Sequence, residues 1–210
     1  MPDHHVCSDA AFLSTLEGFE LVPHIVRALA LARGRPVTTE EIAASADRPA
    51  ANVERLLRSQ PGTEWDGEGR LIGFGLTPSP TAHRFLVDET TLYTWCATDT
   101  LSFTVILGRP ARVESTCPAT GAAIRIELDA DAVVSVTPKE AVVSQRHHGE
   151  LLSDVRGQVC DHGHFFASPD AASSWEAEHP EGEVLSVTVA FDRSRSACEE
   201  LGWIPERTAR

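Results

Sequence analysis

From Val22 onward the chain uses two spacings of apolar residues in turn, and the change between them divides it. Val22, Ile25, Val26, Leu29 and Ala30 fall at helical spacing, and the run stops where Gly34 follows Arg33. Thr38 and Glu41, just ahead of Ile42 and Ala43, form a capping box that starts a second helix. After the turn Asp47-Arg48-Pro49, residues Ala50, Val53, Leu56 and Leu57 line one side of a third helix. The stretch from Thr63 to Phe74 reads as a β-hairpin with Asp66-Gly67 in its turn. Three helices followed by a hairpin is the winged-helix plan.

Thr77-Pro78-Ser79-Pro80 marks the crossing into a second region. His83 to Val87 reads as a short strand. Leu92 to Phe103 reads as an amphipathic helix, with Leu92, Cys96, Asp99 and Phe103 on one stripe. That helix runs to Ile106 or Leu107, where Gly108-Arg109-Pro110 stops it. Ala111–Thr116 and Ala123–Leu128 alternate around the turn Cys117-Pro118-Ala119-Thr120-Gly121, and Val133–Val136 and Ala141–Ser144 continue them. Together they predict an antiparallel meander with one wet face. Further on, the pattern predicts a short helix at Leu151–Arg156 and a strand within Gln158–Ser168. A Ser168-capped helix over Ala171–Glu178, a last strand over Gly182–Val189 and a short helix through Leu201 and Trp203 complete it.

The expected fold class is α+β: an N-terminal winged-helix-like three-helix module, then a mixed, mainly antiparallel β-sheet domain with flanking helices. The expected division is residues 1–20 as an extension, 21–80 as the module and 81–210 as a catalytic domain. A length of 210 residues accommodates that division.

Charge narrows the function. The net charge is −13 and Lys139 is the one lysine, which disfavours a general nucleic-acid binder. The third helix offers only Arg48, Arg55 and Arg58, and the hairpin is acidic, so the winged-helix plan alone does not make a DNA reader. No apolar run approaches a membrane span, and Met1-Pro2-Asp3-His4-His5 lacks the layout of a signal peptide. A cytoplasmic protein with no membrane partner is expected.

Five cysteines are present, Cys7, Cys96, Cys117, Cys160 and Cys198, and no two form a C-x-x-C pair. Neither a disulfide framework nor a ribbon-type zinc site is indicated. Cys96 and Asp99 share an apolar helical face, and a carboxyl beside a thiol in such a place is costly unless the proton they exchange is used. Cys160, among Asp161, His162, His164, Phe165 and Phe166, is the candidate partner. Three chemistries fit. A Cys160 nucleophile with His162 or His164 as base lacks any acyl-enzyme motif around it. A zinc site from Cys96, Cys160 and a histidine lacks the spacing. The third is attack on a soft metal carried by the substrate, which two thiols would bind while the carboxyl protonates the metal-bound carbon.

Leu92-Tyr93-Thr94-Trp95-Cys96-Ala97-Thr98-Asp99-Thr100-Leu101, the turn Cys117–Gly121, and Cys160-Asp161-His162-Gly163-His164-Phe165-Phe166-Ala167-Ser168 resemble the organomercurial (alkylmercury) lyases of bacterial mercury resistance. The likeness extends to Gly34-Arg35-Pro36-Val37 and Gly73-Phe74-Gly75-Leu76-Thr77, and so covers about residues 20 to 190. The resemblance implies that Cys96, Asp99 and Cys160 are the catalytic trio and hold the substrate and product mercury. It implies a structural role for Cys117, no required cofactor, exogenous thiols for turnover and a mercuric reductase as product acceptor. Family members often carry a second cysteine where this chain has Asp161, which bears on metal hand-off or substrate range. Cys7 and Cys198 have no counterpart. Phe103 and Phe165 are candidates for the pocket of the organic group, whereas Trp95 and Phe166 read as core. The alternative is a protein that sequesters a thiophilic metal, or a winged-helix sensor. Asp99 argues against it, because sequestration needs sulfur but no proton donor.

Overall fold

The N-terminal periodicity produces the expected helices in a computed structural model that describes residues 17–60, 62–146 and 154–205. Cys7, most of the expected N-terminal extension and residues 151–153 lie outside the described residues. A 3₁₀ turn at Phe19–Leu21 leads into α1 (Val22–Ala32), followed by α2 (Thr39–Ala46) and α3 (Ala50–Ser59). Both halves of the α2 capping box form, Glu41 N–H to Thr38 Oγ1 at 3.3 Å and Thr38 N–H to Glu41 Oε2 at 2.8 Å. Strands β1 (Glu64–Trp65) and β2 (Leu71–Gly73) form the antiparallel hairpin, and a bridge from Val37 to Leu71 pins it to the α1–α2 connection.

The hairpin turn is wider than an Asp-Gly pair. The Asp66 carboxylate accepts from the N–H groups of Glu68 and Arg70, both at 2.9 Å, and the left-handed residue is Gly69, with φ +77°. Each arginine near the third helix meets a nearby acid: Arg48 with Glu20 at 3.1 Å, Arg55 with Glu17 at 3.1 Å and Arg58 with Glu54 at 3.2 Å. The Arg58 guanidinium also lies 4.1 Å over the Trp65 ring.

Six antiparallel strands form the main sheet. They are β3 (Leu76–Thr77), β4 (His83–Val87), β5 (Thr90–Thr94), β6 (Ala111–Thr116), β7 (Ala123–Leu128) and β8 (Val133–Thr137), in the order β3-β5-β4-β6-β7-β8. The expected meander stops at β8. Strand β9 (Val142–Gln145) is instead the middle of a separate three-stranded sheet, between β10 (Phe165–Phe166) and β11 (Glu183–Ser186). The reason lies in burial. Strand β8 is a half-wet edge with Val134 62% exposed, whereas every residue of β9 is buried, which requires cover on both faces.

Helix α4 (Ala97–Leu107) begins later than the expected stripe. Leu92 lies on β5, so the stripe starts at Cys96, which is the N-cap. α4 touches α1, the C-terminal helix and strands β4, β5 and β9, and eight of its residues are buried, the pattern of a helix enclosed on all sides. Two of its buried hydroxyls bond back to the helix, Thr100 Oγ1 to Ala97 O at 2.6 Å and Thr104 Oγ1 to Thr100 O at 2.8 Å, and Thr98 Oγ1 accepts from Gln145 Nε2 at 3.2 Å.

The chain then runs through α5 (Val155–Gln158), a 3₁₀ turn at Cys160–His162, strand β10, α6 (Pro169–Glu178), β11 and α7 (Val187–Glu200). Two expectations are corrected here. The strand expected within Gln158–Ser168 is reduced to Phe165–Phe166, with Cys160 in a tight turn, so residues 160, 162 and 164 do not share a strand face. The last strand ends at Ser186 rather than Val189, and the closing helix is long. Val187-Thr188-Val189 imitates strand alternation, but Val187, Ala190, Phe191, Ser194, Ala197 and Cys198 are buried at helical spacing, and Ser186 Oγ caps the helix from Val189 N–H at 3.3 Å. Among the described residues, no helix is long and apolar enough to cross a membrane.

Candidate active site

Cys96 is held by a β-to-α junction. Strand β5 ends at Thr94, whose hydroxyl donates to Cys96 O at 2.8 Å, and Trp95 N–H donates to Gly75 O at 2.8 Å. α4 then opens with a sulfur in place of the usual capping oxygen. Asp99 N–H donates to Cys96 Sγ at 3.4 Å, and the Asp99 carboxyl accepts from Cys96 N–H at 3.2 Å. This reciprocal box, and not a stripe along a helical face, brings thiol and carboxyl together. It also sets the sulfur at a helix N-terminus, where partial positive charge favours an anion.

Cys160 arrives from the 3₁₀ turn. Ala97 N–H donates to Gly163 O at 2.9 Å and Gly163 N–H donates to Cys160 O at 2.9 Å, so one residue ties the turn to the first turn of α4. Gly163 must be glycine for reasons of space, since a Cβ there would lie 2.8 Å from Cys96 Cβ. Behind the turn, the Ser144 hydroxyl donates to His162 O at 3.0 Å and Trp175 Nε1 donates to the same carbonyl at 3.0 Å.

The result is one compact cluster. A ligand atom from each of Cys96, Asp99 and Cys160 lies within 4.8 Å of the other two. The cysteines are 2% and 6% exposed, while Asp99 keeps partial exposure. Burial, reinforced by the neighbouring Cys96 sulfur, raises the Asp99 carboxyl well above the ordinary carboxylate range. The cluster can therefore bind a soft metal through two sulfurs and hold a proton beside it.

The surrounding residues divide differently from expectation. Trp95, read from the sequence as core, packs with Cys96, Cys160 and Val155 in a small cluster of their own. Phe103 lies near Asp99 across Gly75, whose absent Cβ would meet Phe103 Cζ at 2.7 Å and Asp99 Oδ2 at 3.4 Å. Phe165 is fully buried and sets its edge against the His83 ring at 5.7 Å. Asp161 faces Arg156 at 3.7 Å, and Arg156 also pairs with Glu64 of the hairpin and sits 5.1 Å over the Trp95 ring.

Cys117 and Cys198 are buried outside the cluster. Burial would raise the Cys117 thiol, but hydrogen bonds from the Thr120 side chain and from the backbone of Ala167, Thr120 and Ala119 outweigh it and hold it below the ordinary value. Sequence reasoning missed His83. Its signal was position: it occupies an inward-facing place in the same alternation as Phe85 and Val87, where a polar residue needs partners.

A winged-helix module joined to an antiparallel domain, with two thiols and a raised carboxyl at one helix start, has the chemistry that could take a thiophilic metal beside a proton donor. The family described as Alkylmercury lyase matches residues 76–199, and the helix-turn-helix domain of alkylmercury lyase matches residues 16–75. An alkylmercury lyase of Streptomyces lividans is 48% identical over 81% of this chain and 79% of its own length. Alkylmercury lyases of Staphylococcus epidermidis and Bacillus cereus are 46% and 44% identical, over 79% and 85% of this chain and 76% and 83% of theirs. A crystal structure of the mercury-bound form of MerB2 shares the fold, with TM-score 0.73 and 21% identity over 91% of this chain and 96% of that one. The chain belongs to the alkylmercury lyase family.

Proposed function

We propose that Cys96, Asp99 and Cys160 carry out the reaction of this organomercurial lyase, the protonolytic cleavage of a carbon–mercury bond to hydrocarbon and Hg(II). The observation that carries the assignment is the meeting of two sulfurs and one raised carboxyl within 4.8 Å. Sulfur bonds mercury by softness, which oxygen or nitrogen ligands do not match. Cys96 exchanges for the buffer ligand on R–Hg–X, and its proton leaves with X. The ionised fraction of Asp99, small because burial raises its carboxyl, takes the proton of Cys160 as that sulfur also binds. Two thiolates push electron density onto the carbon, and Asp99 returns the proton to it. R–H departs as the C–Hg bond breaks, and Hg(II) stays between the two sulfurs. The raised affinity of Asp99 for a proton suits this double role.

A buried dithiolate releases a soft metal slowly, so exogenous thiols complete the cycle by exchange, and a mercuric reductase is the proposed acceptor. The apolar walls for the organic group are Trp95, Val155 and Phe103, with Phe165 behind them. Residues 1–20, 21–80 and 81–210 are the proposed extension, module and catalytic domain, with β3 of the module completing the catalytic sheet. A role in DNA binding is not proposed, because the arginines near the third helix face carboxylates of this chain. A cytoplasmic, thiol-rich compartment fits two cysteines that must stay reduced.

The test is headspace hydrocarbon from methylmercury or phenylmercury with excess thiol. Cys96→Ser and Cys160→Ser should each abolish release, since a hard oxygen replaces a soft ligand. Full turnover by Cys160→Ser refutes the two-thiol scheme.

A further inference from the structure

We propose that His83 is the positioning residue that sets the distance between the two reacting sulfur atoms. The inference rests on the dithiol reading above and extends it to a residue whose ring nitrogens meet Ser115 and Gly163. His83 sits on β4, 2% exposed, directly across from Ser115 in the β4–β6 register. One ring nitrogen, Nδ1, is 3.0 Å from Ser115 Oγ, and the other, Nε2, is 3.1 Å from Gly163 O. A carbonyl only accepts, so Nε2 carries the proton, and Nδ1 accepts from the Ser115 hydroxyl. Burial keeps the ring neutral by drawing its pKa down to about 4, which preserves that arrangement of one donor and one acceptor.

The Gly163 carbonyl also accepts from Ala97 N–H at 2.9 Å. One oxygen therefore receives two donors, one from the main sheet and one from the start of the helix that bears Cys96 and Asp99. The same residue donates to Cys160 O at 2.9 Å and leaves no room for a Cβ, which would lie 2.8 Å from Cys96 Cβ. His83 thus anchors to the rigid sheet a residue whose backbone hydrogen bonds link the two cysteine-bearing segments. Phe165 packs against the ring in a T-shaped contact with centroids 5.7 Å apart and holds its plane. Without the imidazole N–H, the Gly163 carbonyl keeps its Ala97 donor but loses its tie to the main sheet, and although Ser144 and Trp175 still hold His162 O, the Cys160 sulfur drifts relative to Cys96. Such loosening affects the step that needs both sulfurs on one mercury atom, not the first encounter with substrate.

Three variants of the full-length protein test this with methylmercury and excess thiol: His83→Leu, His83→Gln and Cys160→Ser. Leucine removes the donor, whereas glutamine returns an N–H near the Nε2 position. His83→Leu should lower kcat by about 10²-fold, the scale of an ångström-sized misplacement, with KM nearly unchanged. His83→Gln should recover at least about a tenth of the original rate. The ultraviolet sulfur-to-mercury charge-transfer band of the product complex should weaken in His83→Leu and return in His83→Gln, which a purely structural role would not produce. A folded His83→Leu enzyme with normal kcat, or equal losses in the leucine and glutamine variants, overturns the proposal. Should His83→Leu fail to fold, Ser115→Ala replaces it by releasing the ring from its anchor, and undiminished kcat there overturns the proposal equally. Turnover by Cys160→Ser removes the dithiol reading and this inference with it. An inactive Cys160→Ser beside a normal His83→Leu removes only the positioning role.

Discussion

Asp99→Asn removes both proton transfers assigned to Asp99 while leaving the shape of the site intact. Asparagine has the same shape and keeps an oxygen to accept from Cys96 N–H, now 3.2 Å from the carboxyl, so the cap of α4 survives. Loss of the proton carrier removes a general acid, an effect of about 10²–10⁴ in rate. Stability should move the other way with pH. Burial makes the folded protein bind the Asp99 proton more tightly than the unfolded chain does. The associated stability is complete below the ordinary Asp range and is lost as pH rises toward the raised folded value. In that window the folded state holds one more proton, so unfolding free energy falls by up to about 1.4 kcal/mol per pH unit. Asp99→Asn lacks this slope, and the variant should become progressively more stable relative to the parent as pH increases. The assay is single-turnover headspace release from phenylmercury, paired with retained mercury and with urea unfolding at several pH values. The variant should bind the organomercurial through Cys96 and fail to release hydrocarbon. Normal release would remove Asp99 from proton transfer, and parallel stability curves would show that its carboxyl is not raised.

Gly163→Ala should drive its new methyl into Cys96, costing about 1–3 kcal/mol of stability and lowering kcat more than KM rises; unchanged denaturant midpoint and kcat would refute the close approach. Cys198, 2% exposed and pushed up to about 12 by burial, should resist alkylation in the native protein at neutral pH and react only after unfolding, which peptide mass spectrometry would read directly.

The parts of this protein legible in its residues were those decided by short-range rules. The helical spacing of Val22 to Leu29, the Thr38–Glu41 box, the Ser168 cap and the alternation of β6 and β7 each depend on neighbours within a turn or a strand, and all formed. The candidate thiols and carboxyl were readable by residue type, since few side chains suit a soft metal and a proton together. Local pattern misled where two periods share the same residues. Val187-Thr188-Val189 fits a strand until Ala190, Phe191 and Ser194 are seen to bury on one helical face, and Leu92 fits the stripe of Cys96 until β5 claims it. Other features were decided only by tertiary structure, because their causes are far apart in the chain. Strand β9 left the meander since it needed cover on both faces, which β10 and β11 supply from later segments. The sulfur of Cys160 reaches that of Cys96 through one glycine, one histidine and a carbonyl they share, contacts that become possible only when the sheet and the turn close on each other.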